Sequence, residues 1–383
     1  MIERNAYIKK IESGFRVHPI VSILGSRQCG KSTLARIYCR DKSAEYFDLE
    51  KPVDRRRLEA PMRALEPLRG LVVLDEIQRL PELFEILRVL ADRPDCPARF
   101  LTLGSASPGM VRGVSESLAG RVGFVDLSGF DLSEVGGAAA EKLWVRGGYP
   151  RAFLAASENQ SYEWRQAFIR TFLERDIPQL GISIPAETLR RFWTMLAHYH
   201  GQIWNAAEFA RSLGTSEPTA RRYLDILSGA YMVRVLAPWF ENIGKRQVKS
   251  PRVYLRDSGL LHALLELKNM GEIERHPRLG ASWEGFALEQ ALCLFPTPGV
   301  YFWSTHGGAE LDLLLMADGR RYGFEFKYTD APSHTRSMLS AFQDLSLEHL
   351  WVIYPGRDAY PIGDRVSALP LADLINLRLV PSG

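Results

Sequence analysis

Gly25-Ser26-Arg27-Gln28-Cys29-Gly30-Lys31-Ser32-Thr33 is the stretch whose reading decides the fold. It follows the apolar run Ile20-Val21-Ser22-Ile23-Leu24 and opens a segment, Thr33 to Cys39, that reads as helix. Glycine, four residues, then Gly-Lys-Ser between a strand and a helix is the pattern of a phosphate-binding loop. The residue types follow from the chemistry. A polyphosphate is held by a ring of backbone N–H donors, so the chain must wrap tightly, and glycine permits the wrap. The helix behind presents its unpaired N–H groups and the positive end of its dipole to the anion. In that frame Lys31 supplies a point charge for the outer phosphates, Ser32 a hydroxyl for magnesium, and Thr33 faces the inner phosphate. Cys29 has two readings: an oxidisable thiol at a helix N-terminus, or a small residue filling a crowded loop.

Apolar strands then alternate with amphipathic segments as far as about residue 130. Ala44–Asp48, Leu71–Leu74, Arg99–Leu103 and Gly123–Leu127 follow the first strand, with helical stretches such as Glu82–Ala91 between them. This alternation predicts a parallel sheet covered by helices on both faces. Asp75-Glu76 ends the third strand, at the edge where open α/β sheets bind ligands. Asp75 would hold magnesium, directly or through water, and Glu76 would serve as general base toward the attacking water; the alternative is an acidic pair that starts a turn. Ser105, in Gly104-Ser105-Ala106-Ser107, orients that water or senses the γ-phosphate, or else belongs to a Gly/Ser turn. Arg121, closing Ser117-Leu118-Ala119-Gly120-Arg121, is either a finger for a neighbouring subunit's nucleotide or a solvated loop arginine.

These motifs, with Leu74-Asp-Glu-Ile-Gln-Arg-Leu-Pro81 and the later Arg146-Gly-Gly-Tyr-Pro150 and Leu173-Glu-Arg-Asp-Ile177, resemble the prokaryotic AAA-fold ATPases that carry a C-terminal domain of unknown function. The resemblance covers nearly the whole chain. It implies ATP and Mg2+ as cofactors, Asp75 and Glu76 as the magnesium and water residues, Ser105 as sensor, and Arg121 as a candidate finger. It also brings Arg146 or Arg151 toward the nucleotide.

At 383 residues the chain exceeds one ordinary core, which predicts two or three domains. Its 48 basic and 45 acidic residues leave a net charge of +3, so any nucleic-acid surface must be a local patch. Cys29, Cys39, Cys96 and Cys293 lack metal-type spacing and fit a reducing compartment. No apolar run approaches a membrane span and the N-terminus has no apolar signal core, so the expected location is cytoplasmic, with no membrane partner.

The expected fold class is α/β: a P-loop AAA-type parallel-sheet domain over residues 1–130, a helical linker or lid over 131–180, a winged-helix module over 181–275, and an α/β nuclease-like domain over 276–383. Trp164, Phe168, Phe172 and Leu173 stand near helical spacing in a long helix over 158–176. Ala206–Leu213, Gly214-Thr215-Ser216 and Glu217–Leu227 form a helix-turn-helix pattern, with Ser216 as N-cap. Met232–Leu236 and Arg252–Leu255 read as wing strands, with Lys245, Arg246 and Lys249 between them. Arg221, Arg222 and the wing cations would meet DNA phosphates, or the module packs and oligomerises with those cations solvated.

Further on, a helix over 281–294, strands Val300–Trp303, Glu310–Met316 and Tyr322–Lys327, a helix near Ser337–Leu345 and a strand Leu350–Tyr354 give an α-β-β-β-α-β order. Glu325 and Lys327, two apart on a strand, share a face; Asp312 can face them across the strand pair, and Glu284 adds a carboxylate from the preceding helix. Carboxylates so grouped bind a metal, here a second Mg2+ or Mn2+, while the lysine orients water. The pattern resembles the PD-(D/E)XK nuclease-like fold. Against it stand an ordinary Glu325–Lys327 ion pair and a fold retained for binding without cleavage. The resulting expectation is an oligomeric Mg2+-dependent ATPase, a homo-oligomer, whose C-terminal half engages nucleic acid. Alternatives are a metal-dependent nuclease with a regulatory ATPase, and a nucleotide-gated protein-binding switch.

Overall fold

Short apolar runs become buried parallel strands in the N-terminal part of the computed structural model, which describes residues 2–94, 97–105, 117–241, 244 and 246–379. Cys96, Ala106, Ser107 and Lys245 lie outside the described residues. The chain divides into two units. One runs to Gly129 and takes in Gly229–Tyr231; the other takes Phe130–Ser228 and Met232 onward.

In the first unit, β1 (Ile20–Gly25), β2 (Ala44–Asp48), β3 (Gly70–Asp75), β4 (Ala98–Ser105) and β5 (Val122–Leu127) form one sheet in the order β2-β3-β4-β1-β5. Every neighbouring pair is parallel. A parallel sheet buries both faces, which is why all of β1 and Leu71–Asp75 of β3 are buried. The helix Asn5–Val17 covers it with Tyr7, Ile11 and Phe15, spaced four apart on one face. The helix Leu83–Ala91 contributes Leu83, Phe84, Leu87 and Leu90 to the core that includes Phe47, Val72, Leu74 and Phe100. Burying each such side chain contributes about 1.5–3 kcal/mol.

This order has a consequence for the site. After β1 the chain crosses to the outer strands β2 and β3, and β4 then returns to insert between β3 and β1. The carboxyl ends of β1, β3 and β4 therefore lie side by side at one edge of the sheet.

The second unit carries the helix Ala206–Leu213, all but the last residue of the helix Glu217–Gly229, and a two-stranded antiparallel ribbon of β6 (Val233–Leu236) and β7 (Arg252–Leu255). Trp239 and Val248, which lie between these strands in sequence, are bonded to the edge of the C-terminal sheet. The Trp239 N–H donates to Phe302 O at 2.7 Å and the Val248 N–H to Ser304 O at 3.0 Å. The expected long helix is α-helical over Glu158–Thr171 and widens to a π turn over Phe172–Asp176.

The C-terminal sheet comprises β8 (Gly299–Ser304), β9 (Glu310–Ala317), β10 (Arg320–Phe326), β11 (His349–Tyr354), β12 (Tyr360–Gly363) and β13 (Val366–Pro370), in the order β12-β13-β11-β10-β9-β8. Sequence reading ended this sheet at Tyr354. The last two strands escape it because they are short and interrupted by Pro361. Trp303, Leu311, Leu314, Met338, Ala341 and Val352 form the core beneath the helix Arg336–Asp344. Among the described residues no helix is long and apolar enough to cross a membrane.

Candidate nucleotide site

The loop after β1 turns on two left-handed residues, Gln28 at φ 61° and Gly30 at φ 103°, before the helix Lys31–Cys39 begins. Gly25 must be glycine for another reason: a Cβ there would lie 2.2 Å from Leu127 O and 3.0 Å from Cys29 Sγ. Cys29 is fully buried beneath the loop, a packed filler rather than an exposed thiol. Lys31 is buried as well, its ammonium donating to Gly25 O at 3.1 Å and Ser26 O at 2.8 Å. These bonds keep the cation inside the curve of the loop. Ser26 is buried, Arg27, Gly30 and Ser32 are half-buried, and Gln28 and Thr33 are exposed.

Asp75 and Glu76 stand at the same edge. Asp75 Oδ2 accepts from the Tyr46 hydroxyl at 2.6 Å, while Oδ1 is buried without a hydrogen-bond partner among the described residues. Burial and the Asp75 carboxylate raise the Tyr46 pKa, so its hydroxyl remains a donor. Glu76 has left-handed backbone, φ 57° and ψ 44°, which costs a residue with a Cβ of the order of 1 kcal/mol. The Gln78 amide donates to its carboxylate. Burial pushes the Glu76 carboxyl up, Lys31 opposes this, and Asp75 adds to it. Ser105 lies opposite Gly25 in the β1–β4 register, and its Oγ is also buried, with no hydrogen-bond partner among the described residues. Buried oxygens without partners are costly, and a ligand is one way such groups are satisfied. An orphaned carboxylate oxygen and an orphaned hydroxyl beside a buried lysine suit a magnesium–polyphosphate group.

Arg121 stands elsewhere. It precedes β5, level with Ile20, at the amino edge of the sheet and roughly 17 Å of strand from Gly25. Its guanidinium grips Asp92 through Nε at 2.6 Å and Nη2 at 2.7 Å. Arg146 belongs to the second unit, donating to Glu158, Phe153 O and Ala155 O. Two residues without a motif signal support the site, Tyr46 by holding Asp75 and Arg4 by holding the loop. Arg4 donates to Cys29 O at 3.0 Å, Ser128 O at 3.2 Å and Gly129 O at 3.0 Å, and so ties the loop to the end of β5. Each is found only through its contacts.

In the second unit the four expected residues do meet. The register pairing Phe324 with Leu313 sets Glu325 beside Asp312. Lys327 Nζ lies 2.7 Å from Glu325 Oε2 and 3.5 Å from Asp312 Oδ2. Glu284 accepts from the Tyr254 hydroxyl at 2.7 Å. Arg252, from β7, enters the same cluster: Nη1 is 3.1 Å from Asp312 Oδ1 and 3.5 Å from Glu284 Oε1, and Nη2 pairs with Glu310. Among the described residues no three carboxylates, histidines or cysteines are arranged to share one metal ion. The carboxylates therefore do not fit a metal as they stand, because a guanidinium lies among them.

Comparison with known proteins agrees with this division. Family models match residues 17–136 as an AAA domain, 138–271 as the domain of unknown function DUF8612, and 279–374 as the domain of unknown function DUF4143. Over 375 residues the chain is 52% identical to the uncharacterized proteins Rv2008c of Mycobacterium tuberculosis and Mb2031c of Mycobacterium bovis, an alignment covering 98% of this chain and 85% of each relative. The chain belongs to this family of AAA-domain proteins with a C-terminal DUF4143 domain. Among solved structures it is similar to the Walker-type ATPase PABY2304 of Pyrococcus abyssi, at a TM-score of 0.50 and 14% identity, over 69% of this chain and 96% of that one. That likeness speaks for the fold alone. In this AAA–DUF4143 protein the loop, Asp75, Glu76 and Ser105 all lie in the AAA domain, the helix-turn-helix in the DUF8612 segment, and the cluster around Asp312 in DUF4143.

Proposed function

We propose that this protein binds ATP with Mg2+ at the carboxyl edge of its first sheet and hydrolyses it. The observation that carries the reading is the convergence of a phosphate-type loop, a buried Lys31, and the unpartnered buried oxygens of Asp75 and Ser105 on neighbouring strand ends. Backbone N–H groups of Gly25–Thr33 take the phosphates and Lys31 neutralises the outer ones. Ser32 and Asp75 are the residues that would hold magnesium, which when bound offsets charge on the phosphates. Glu76 takes the proton of the attacking water. Its pKa, raised by burial, moves it toward the working range of a general base. Ser105 orients that water.

Arg121, at the opposite edge of its own sheet, can contribute only to the nucleotide of another copy. We assign Arg121 that role, in trans, within a homo-oligomer. We place this activity in the cytoplasm and assign the C-terminal half to engagement of nucleic acid, supported by exposed Arg221 and Arg222 on the second helix of the helix-turn-helix and by exposed Arg246 and Lys249. The test is nucleotide binding and turnover by the full chain. Lys31→Ala should lose ATP binding, and Glu76→Gln should retain binding while turnover stops. Undiminished ATP affinity in Lys31→Ala would end this reading.

A further inference from the structure

The cluster around Asp312 sets four carboxylates, Glu284, Glu310, Asp312 and Glu325, against two cations, Arg252 and Lys327. Asp312 and Glu325 are each only 2% exposed. Their surroundings are those of a cation site, and the question is which cation fills it. Glu325 uses one oxygen for Lys327, and its Oε1 is buried with no hydrogen-bond partner among the described residues. Asp312 spends Oδ2 on the Phe326 N–H at 3.1 Å and gives Oδ1 to Arg252. Arg252 also lies over the Phe302 ring, 5.1 Å from its centroid, so the guanidinium is fixed by packing as well as charge. It arrives from a strand outside the C-terminal sheet, and its position is set by the β6–β7 ribbon.

We infer that the Arg252 guanidinium occupies the position of a divalent cation in the DUF4143 cluster, so that the native chain takes up no metal there and a latent metal site lies beneath the arginine. A guanidinium and a dication compete for the same oxygens of Asp312 and Glu284, and each repels the other at contact distance. Asp312 Oδ1 at 3.1 Å and Glu284 Oε1 at 3.5 Å both face Nη1, so removing Arg252 frees two carboxylate oxygens around one point, to which water can add the remaining ligands of a metal. The DUF4143 site of this protein is thus a charge-locked cluster and does not serve as a metal centre for nucleic-acid cleavage.

The experiment uses the full chain without nucleotide, titrated with Mn2+ and followed by electron paramagnetic resonance. Asp312→Asn serves as the control that subtracts any ion held at the phosphate loop. Wild type should bind no Mn2+ that Asp312→Asn abolishes. Arg252→Ala should gain a bound ion, and the double variant Arg252→Ala with Asp312→Asn should lose it. A folded Arg252→Ala, by near-UV circular dichroism, that gains no ion overturns the inference. So does a wild-type ion that Asp312→Asn removes. Should Arg252→Ala fail to fold, the wild-type arm decides through thermal midpoints: Mn2+ and EDTA should give the same value, and an Mn2+-dependent rise cancelled by Asp312→Asn is the contrary result.

Discussion

The Tyr46 hydroxyl donates to Asp75 Oδ2 at 2.6 Å, from one parallel strand to its neighbour. The bond holds the carboxylate still and leaves its other oxygen without a hydrogen-bond partner among the described residues. If Asp75 serves magnesium, Tyr46→Phe should raise the free Mg2+ needed for half-maximal hydrolysis about tenfold, as loss of a group that orients a metal ligand usually does. Rates measured against Mg2+ at saturating ATP check this. A superimposable curve would remove Tyr46 from the site.

Glu76 combines a chemical role with an unfavourable backbone conformation. Glycine adopts φ 57° freely, so Glu76→Gly should relieve about 1 kcal/mol of strain in the first unit while abolishing turnover. Urea unfolding beside an ATPase assay tests the opposition. A variant that is both less stable and inactive would mean that the carboxylate contributes to folding more than its strain costs.

A side chain on Gly25 has nowhere to go. The obstruction at 2.2 Å is the backbone carbonyl of Leu127, which cannot rotate aside. Gly25→Ala should therefore cost about 2 kcal/mol of stability or more and weaken ATP binding, since β1 and β5 must separate. Equal unfolding midpoints for variant and wild type would show that the strand pair yields easily.

Arg121 is held by Asp92 within one chain. If Arg121 serves a neighbour's nucleotide, Asp92→Ala should release it and raise hydrolysis per chain at concentrations where copies associate, whereas Arg121→Ala should lower it. The rate is followed against protein concentration, with mass measured in parallel. Wild-type turnover that is independent of association would exclude a role in trans.

Two buried histidines make the second unit sensitive to acid. His262 Nδ1 lies 3.1 Å from Val145 O and Nε2 2.7 Å from Ser282 Oγ, so Nδ1–H donates and Nε2 accepts. His200 Nδ1 accepts from the Leu255 N–H at 2.9 Å. Burial pushes both pKa values down to about 3 from 6.5. A depressed histidine pKa means that protonation favours the unfolded chain. Stability is therefore full above about pH 6.5 and is lost as pH falls toward 3, by about 2 kcal/mol per histidine at pH 5. Urea midpoints at pH 7 and pH 5 should differ accordingly, and His262→Gln should reduce the difference. Identical midpoints at the two pH values would contradict neutral buried imidazoles.

Much of the fold was legible because its signals are local. Val72, Val73 and Leu74 read as a buried strand because a parallel sheet demands continuous apolar residues, and Glu325 and Lys327 share a face through the pleat alone. The β12–β13 hairpin did not show, since its brief segments and prolines carry no periodicity. Trp239 and Val248, in the loop between the two wing strands, are bonded to β8, pairings about sixty residues distant that no local pattern records.

By itself the sequence determined the phosphate loop and the acidic pair, since glycine spacing and strand-end position are properties of contiguous residues. Tertiary structure alone decided that β4 inserts between β3 and β1 and so gathers Gly25, Asp75 and Ser105 at one edge. It also decided that Arg121 lies at the other edge, that Arg4 ties down the loop, and that Arg252 enters the carboxylates of the last sheet. Those outcomes depend on which distant strands pair and which charges burial forces together, and the free energy of such contacts belongs to the folded packing rather than to any short stretch of chain.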